Sequence, residues 1–286
     1  MGRKHDTGLP WVDRSVDVDG VPVHYLEAGR GETLLLVHGG LVWCSAELTY
    51  GAVIPLLART FRVVAVDVVG FGLTPGREPD DFSARAQGRF LVRFLETIGG
   101  PAHIAGNSHG GWLVQYLAHE VPHLISRMII INSLNGTSPI PDDYPLPRDV
   151  EALPSNEGVR RDLLAFYVHK ELVTEQRVRR TYDLTVRNYA FARARRTYLG
   201  ETPAQWNRNL LYRGQHIAAY AGELRCPVLL TWSRENTGAS PADATAFLNR
   251  LRDGDLHVFT NAGHHVMTEH PERWSALVGD FLLSPR

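Results

Sequence analysis

Residues 15 to 28, SVDVDGVPVHYLEA, alternate apolar and polar side chains around Asp19-Gly20, which predicts an antiparallel hairpin at one edge of a sheet. The pattern then changes. Short Val/Ile/Leu runs at 33 to 37, 62 to 66, 102 to 105, 127 to 131, 227 to 232 and 255 to 259 read as strands buried on both faces, as in a mostly parallel sheet. Between several of them lie helical periods: 82 to 98, with Phe90, Leu91, Phe94, Leu95 and Ile98 on one side, and 112 to 119. Strands alternating with crossover helices predict an α/β fold.

The alternation breaks after Ile131. About 95 residues separate that run from the next at Pro227, far beyond an ordinary connection. The intervening stretch opens with NGTSPIPDDYPLPRD, whose prolines forbid a regular element, and continues into helical periods around 157 to 169, 174 to 195 and 203 to 221. The expected organisation is a core of residues 1–132 and 227–286, with a helical lid, 133–226, inserted after the sixth core strand. From Arg148 to Arg225 there are fourteen Lys/Arg against nine Asp/Glu. That surplus suits an anionic substrate, but Arg193, Arg195 and Arg196 are expected to face solvent on a helix.

Composition narrows the partners. The chain has 286 residues, 44% hydrophobic, and a formal charge of −1, which gives no general attraction to nucleic acid or membrane. No apolar run approaches the roughly 20 residues of a spanning helix. The first residues lack the apolar region of a secretory signal, and Asp6 breaks a myristoylation motif. Cys44 and Cys226, without CxxC spacing, suit a reducing compartment. A cytoplasmic protein is expected, with a small hydrophobic molecule as partner and a homodimer left open.

The chemistry is concentrated at three places. IAGNSHGGW, Ile104 to Trp112, follows a strand-like run and opens a helical stretch, so Ser108 sits in a GxSxG turn with Gly106 and Gly110. His264, in NAGHHVMTEHPERW, follows the last strand-like run, where a general base belongs. LLLVHGG, Leu34 to Gly40, is a strand ending in glycines whose N–H groups suit an oxyanion. No cofactor is called for. A metal is not expected either, because His264 and His265 are adjacent and their side chains diverge. His38 is read as a buried framework residue.

HGG after a strand, VVAVDVVGFGLT, GNSHGG, a helical insertion and NAGHH together resemble the α/β-hydrolase fold over nearly the whole chain. Within it, HGGLVWCSAELTYGAVIPLLA, GNSHGG and LLAFYVHKELVTEQRVRRTYDLT are most similar to meta-cleavage product hydrolases, which split carbon-carbon bonds of vinylogous diketones. The resemblance implies Ser108 as nucleophile, His264 as base, the N–H groups of His109 and Gly40 as oxyanion donors, and Asn107 in the pocket. Asp67, Gly70 and Gly72 match a framework turn of the fold. A shorter likeness, SHGGW, is to the elbow of cofactor-free dioxygenases on the same fold.

The chain departs from that pattern at its acid. The family's carboxylate falls four residues after the tryptophan of a WGRxD segment, and WSREN places Asn236 there with Glu235 beside it. The other usual place, after IIIN's strand, holds Asn132. An Asn oxygen accepts from an imidazole N–H but gives no charge to an imidazolium. The third member is therefore Asn236, or Glu235 reaching across one position, or a carboxylate from elsewhere such as Asp243.

The pocket departs too. Thr49, Thr181 and His265 stand where the resemblance implies an asparagine, a lid arginine that grips a carboxylate, and a tryptophan. Arg180 is one position off, turned by about 100° on a helix. Trp43, Phe166, Tyr167, Trp206 and Tyr212 are candidate apolar lining. The expected activity is hydrolysis of an ester, a lactone or a diketone C–C bond in a hydrophobic, aromatic or polyketide-like substrate. Two alternatives stand beside it: non-hydrolytic catalysis with His264 as base, and ligand binding with little turnover.

Overall fold

The computed structural model describes residues 10–133, 154–199, 221–236 and 238–285. The proline-rich stretch at 135–149 and the period around 203 to 220, with Trp206 and Tyr212, lie outside them.

The edge hairpin forms as its alternation requires. Strands β1 (Val12–Val18) and β2 (Val21–Ala28) pair antiparallel across Asp19-Gly20, both residues at positive φ. Six more strands follow: β3 (Thr33–Val37), β4 (Arg62–Val66), β5 (Ala102–Asn107), β6 (Ile125–Ile131), β7 (Val228–Ser233) and β8 (Gly254–Phe259). They complete an eight-stranded sheet in the order β1-β2-β4-β3-β5-β6-β7-β8, parallel throughout from β4 onward.

The continuous apolar runs are explained by burial on both faces. Along β3, Leu35 and Val37 enter one core with Phe90, Leu91, Phe94 and Leu95 of helix α3 (Ala84–Ile98) and with Leu113 and Leu117 of a later helix. Leu34 and Leu36 enter the other core, with Ile54, Trp274, Val278 and Phe281. Helix α3 begins where the Ser83 hydroxyl accepts from the Ala86 N–H.

Short helices α1 (Ala46–Tyr50) and α2 (Ile54–Leu57) follow β3, and α4 (His109–Glu120) follows β5. Between β6 and β7 stand α5 (Asn156–Phe166) and the long α6 (Glu175–Leu199). The C-terminal third adds α7 (Pro241–Leu248), α8 (Val266–Glu269) and α9 (Pro271–Leu283). Val159, Leu163, Tyr167, Val178 and Leu184 from the β6–β7 connection form a third cluster with Val42, Trp43 and Leu48, which follow the HGG loop. This cluster roofs the end of the sheet at which β3 and β5 stop.

One surface expectation is corrected. Arg193 is exposed, but Arg195 and Arg196 are buried. Arg195 donates to the Phe82 carbonyl at 3.1 Å and lies over the Phe71 ring, so its charge is spent on a carbonyl and a π face inside the packing of α6.

The turn after β4 is organised by Asp67. Its carboxylate accepts from the N–H groups of Ala46 and Leu73, at 2.7 and 2.8 Å, and contacts His24 Nδ1 at 2.8 Å. It thereby joins three segments that bound the site. Asp67→Ala orphans two backbone donors and is expected to cost about 3–5 kcal/mol, read as a lower denaturant midpoint.

Candidate active site

Ser108 ends β5 in a backbone conformation rare for a side-chain-bearing residue, φ 54 and ψ −118. Such a conformation costs on the order of 1–3 kcal/mol and persists only where neighbours impose it. They do so here. The Ser108 N–H donates to the Ile131 carbonyl at 2.9 Å, and its own carbonyl accepts from Gly111 N–H at 3.0 Å and Ser133 Oγ at 2.7 Å. A Cβ on Gly106 would collide with the Gly110 carbonyl, and one on Gly110 with Val37 and His38, which is why small residues flank the serine.

The HGG loop closes against this turn. His38 is buried, donating through Nδ1 to the Gly39 carbonyl at 2.6 Å and accepting the Val68 N–H on Nε2 at 3.0 Å, a framework role as expected. Added Cβ atoms would lie 3.5 Å from Ser108 Cβ at Gly39 and 2.9 Å from His109 Cβ at Gly40. The His109 ring turns to Gln87: Gln87 donates to the Asp81 carbonyl at 3.1 Å, so its oxygen accepts His109 Nε2–H at 2.7 Å. His109 is thereby held beside the glycines at the start of α4.

His264 is held by three amides. Its carbonyl accepts from Asn107 Nδ2 at 3.3 Å and Asn132 Nδ2 at 3.0 Å. Its ring Nδ1 lies 2.8 Å from Asn236 Oδ1. Because Asn236 Nδ2 donates to the Ala239 carbonyl at 2.9 Å, the Asn236 oxygen faces the ring and His264 carries its proton on Nδ1. Nε2 is left as the basic nitrogen. Burial alone moves the His264 pKa, pushing it down to about 4.

The other proposed acids lie elsewhere. Glu235 is exposed and accepts from the Ala262 N–H at 3.1 Å. Desolvation pushes its carboxyl up, but the N–H groups of Ala262 and Asn261 outweigh this and hold it below the usual range. Asp243 forms a capping box with Ser240 at the start of α7. Asn132 grips backbone, donating to the Gly263 and His264 carbonyls, and does not hydrogen-bond the ring. The expectation for Glu235 is thus corrected: its main chain places it outside, where free backbone donors capture the carboxylate.

Arg180 is corrected too, since it pairs at 2.6 Å with Glu47 on the surface. Thr49 and Thr181 are fully buried. His265 is buried in an aromatic box, its ring centroid 5.3 Å from Tyr167, 5.9 Å from Trp43 and 6.3 Å from Phe166. Phe166 also reaches the His264 ring, at 5.4 Å.

Glu269 escaped sequence reasoning. One carboxylate oxygen accepts from Gly263 N–H at 2.6 Å, the other from Val168 and His169 N–H at 2.7 and 2.9 Å. The His264 N–H meanwhile donates to the Phe166 carbonyl at 2.8 Å. The segment after α5 is therefore tied directly to the loop that carries His264. The sequence signal was a lone carboxylate in VMTEH, five residues after His264.

Comparison with known proteins agrees with this geometry. A family model described as "Alpha/beta hydrolase family" matches residues 34–277. The chain belongs to the alpha/beta hydrolase family. It is 28% identical to 2-hydroxy-6-oxo-6-(2'-aminophenyl)hexa-2,4-dienoic acid hydrolase of Metapseudomonas resinovorans, over 95% of this chain and 91% of that one. It is 24% identical to 2-hydroxy-6-oxo-6-phenylhexa-2,4-dienoate hydrolase of Comamonas testosteroni, over 93% of each. Among solved structures, the meta-cleavage product hydrolase of Pseudomonas fluorescens superposes with a TM-score of 0.81 at 24% identity, over 94% of this chain and 97% of that chain. By their names, these relatives are hydrolases of aryl-bearing 2-hydroxy-6-oxohexa-2,4-dienoates and of a meta-cleavage product. The residues around Ser108 and His264 thus sit in a hydrolase fold.

Two outcomes follow for this alpha/beta hydrolase. Glu269→Ala is expected to lose about 3–5 kcal/mol, because a buried N–H at Gly263 is orphaned, while Glu269→Gln loses less and lowers kcat through a loosened His264. Thermal unfolding and steady-state kinetics check this. His264 has a folded pKa below the ordinary 6.5, so the unfolded chain binds the extra proton first. Its stabilising contribution is full above pH 6.5 and is lost as pH falls toward about 4, and NMR of the imidazole should show a neutral ring, protonated on Nδ1, down to that range.

Proposed function

We propose that this protein hydrolyses a carbonyl compound with an aromatic or otherwise apolar body by covalent catalysis at Ser108, cleaving the bond to a stabilised leaving group such as an enolate or aryl oxide. The observation that carries this is the Asn236–His264 contact at 2.8 Å, with Asn236 locked by Ala239, since it leaves Nε2 of His264 as a proton acceptor.

In the first half-reaction His264 Nε2 takes the proton as Ser108 Oγ adds to the carbonyl carbon. The N–H groups of His109 and Gly40 hold the oxyanion, aided by the N-terminal end of α4. Collapse breaks the bond to the leaving group, which takes the proton back from His264. Water then adds to the acyl-serine by the same path and regenerates the hydroxyl.

An imidazole with a pKa near 4 is a weak base, and Asn236 offers no charge to its conjugate acid. This favours substrates whose leaving group is already stable as an anion, as in vinylogous diketones and aryl esters. It disfavours the alternative in which His264 alone abstracts a substrate proton, because that chemistry needs a stronger base. The helices between β6 and β7 act as the lid of this site, packing Phe166 and Tyr167 over it against Trp43 of the segment after β3.

A fluorophosphonate should label the wild type stoichiometrically and leave Ser108→Ala unlabelled; equal labelling of both would overturn the nucleophile. Asn236→Asp supplies the missing charge and raises the His264 pKa. The acid limb of kcat/KM should then move from near pH 4 toward 6 or above, with kcat rising at least about tenfold. An unmoved limb would remove His264 as the titrating base.

A further inference from the structure

Among the described residues, most helical threonines satisfy their own hydroxyls. Thr97, Thr185, Thr197 and Thr245 each donate to the carbonyl four residues earlier, at 2.8 to 3.2 Å. Thr181 and Thr49 do not. Both hydroxyls are buried without a hydrogen-bond partner, and so are both ring nitrogens of His265. A buried polar atom left unpaired costs about 1–3 kcal/mol, so a cluster of four demands a reason.

The three side chains belong to elements that meet beside the catalytic histidine. Thr49 is on α1, and its carbonyl accepts from Thr268 Oγ1 of α8 at 3.3 Å. His265 is the residue that starts α8 and follows His264 in the chain. Thr181 lies one turn after Arg177 on α6, and Arg177 Nη1 reaches the Leu48 carbonyl at 3.3 Å and the Tyr167 hydroxyl at 3.0 Å. Tyr167 in turn stacks on His265.

Resting on the serine-hydrolase reading above, we propose that Thr49, Thr181 and His265 form a hydrogen-bonding subsite that receives an uncharged oxygen function of the substrate, a hydroxyl, phenol or ketone, on its aromatic part. A neutral imidazole offers one donor and one acceptor, and each threonine offers both. Such a set matches a neutral oxygen that accepts and donates. Burial first, then electrostatic interaction with His264 and Arg177, lowers the His265 pKa well below the ordinary 6.5, so the ring is neutral. An ionised carboxylate buried there would meet no formal charge from the trio and would bear its desolvation cost. Arg177 acts electrostatically on His265, and its Nη1 already serves Leu48 and Tyr167 under a ring contact with Tyr167. Trp43 and Phe166 complete an apolar wall on which an aromatic ring stacks.

The test uses two readouts. Titration calorimetry on Ser108→Ala compares an aryl ketone bearing a hydroxyl, its deoxy counterpart and its carboxylate counterpart, and so needs no turnover. The hydroxyl compound should bind at least tenfold tighter than either, and Thr181→Val, Thr49→Val or His265→Phe placed in the same background should erase that preference. Equal binding of all three compounds, or tightest binding of the carboxylate lost in Arg177→Met, would overturn the proposal. Thermal unfolding supplies the second readout: Thr→Val at an unpaired buried hydroxyl should leave Tm unchanged or higher, whereas a fall in Tm would show a structural role and also overturn it. Absent fluorophosphonate labelling with an intact binding preference would sink the hydrolase reading and leave this subsite standing.

Discussion

The site depends on holding an imidazole with neutral partners. Three asparagines converge on His264, two at its main-chain carbonyl and one at Nδ1, and none brings a formal charge. Amides can orient a ring as well as a carboxylate does, because orientation needs only a lone pair at the right place. They cannot offset the cost of charging a desolvated ring, and the low pKa of His264 is the direct expression of that difference. The leaving-group preference proposed above follows from the same deficit.

The second constraint is mechanical. Glu269 and the Phe166 carbonyl bind the turn after α5 to the loop that carries His264, so the roof and the base are one hydrogen-bonded unit. Ser108 is secured separately, by β6 and by Ser133. The roof is thereby hydrogen-bonded to the His264 loop, while the Ser108 turn takes its bonds from β6 and Ser133. The buried polar trio lies along that same seam, where α1, α6 and α8 meet.

Much of the fold was legible in the chain. The core strands were readable because burial on both sheet faces removes polar residues from them, and the edge hairpin because burial on one face imposes alternation. The break after Ile131 announced an insertion. Within the site, Ser108 and its glycines were legible because the turn is local and its sterics are severe. Asn236 against Glu235 was not, since a one-residue choice in a loop is decided by which backbone donors lie free near Ala262. Glu269 was invisible for a related reason: two of its three partners, Val168 and His169, are about a hundred residues away in the chain.

Arg180, Arg195 and Arg196 make the same point from the surface. Helical periodicity says which arginines share a face, but not whether a carboxylate, a carbonyl or a ring waits opposite. Residue identity and local sterics alone set the strands, the strained Ser108 turn and the amides at positions 132 and 236. Only the tertiary structure decided which amide holds His264, which acid ties the roof to it, and which buried hydroxyls stay unpaired. Those depend on groups brought within 3 Å from distant segments, and no local pattern encodes such a distance.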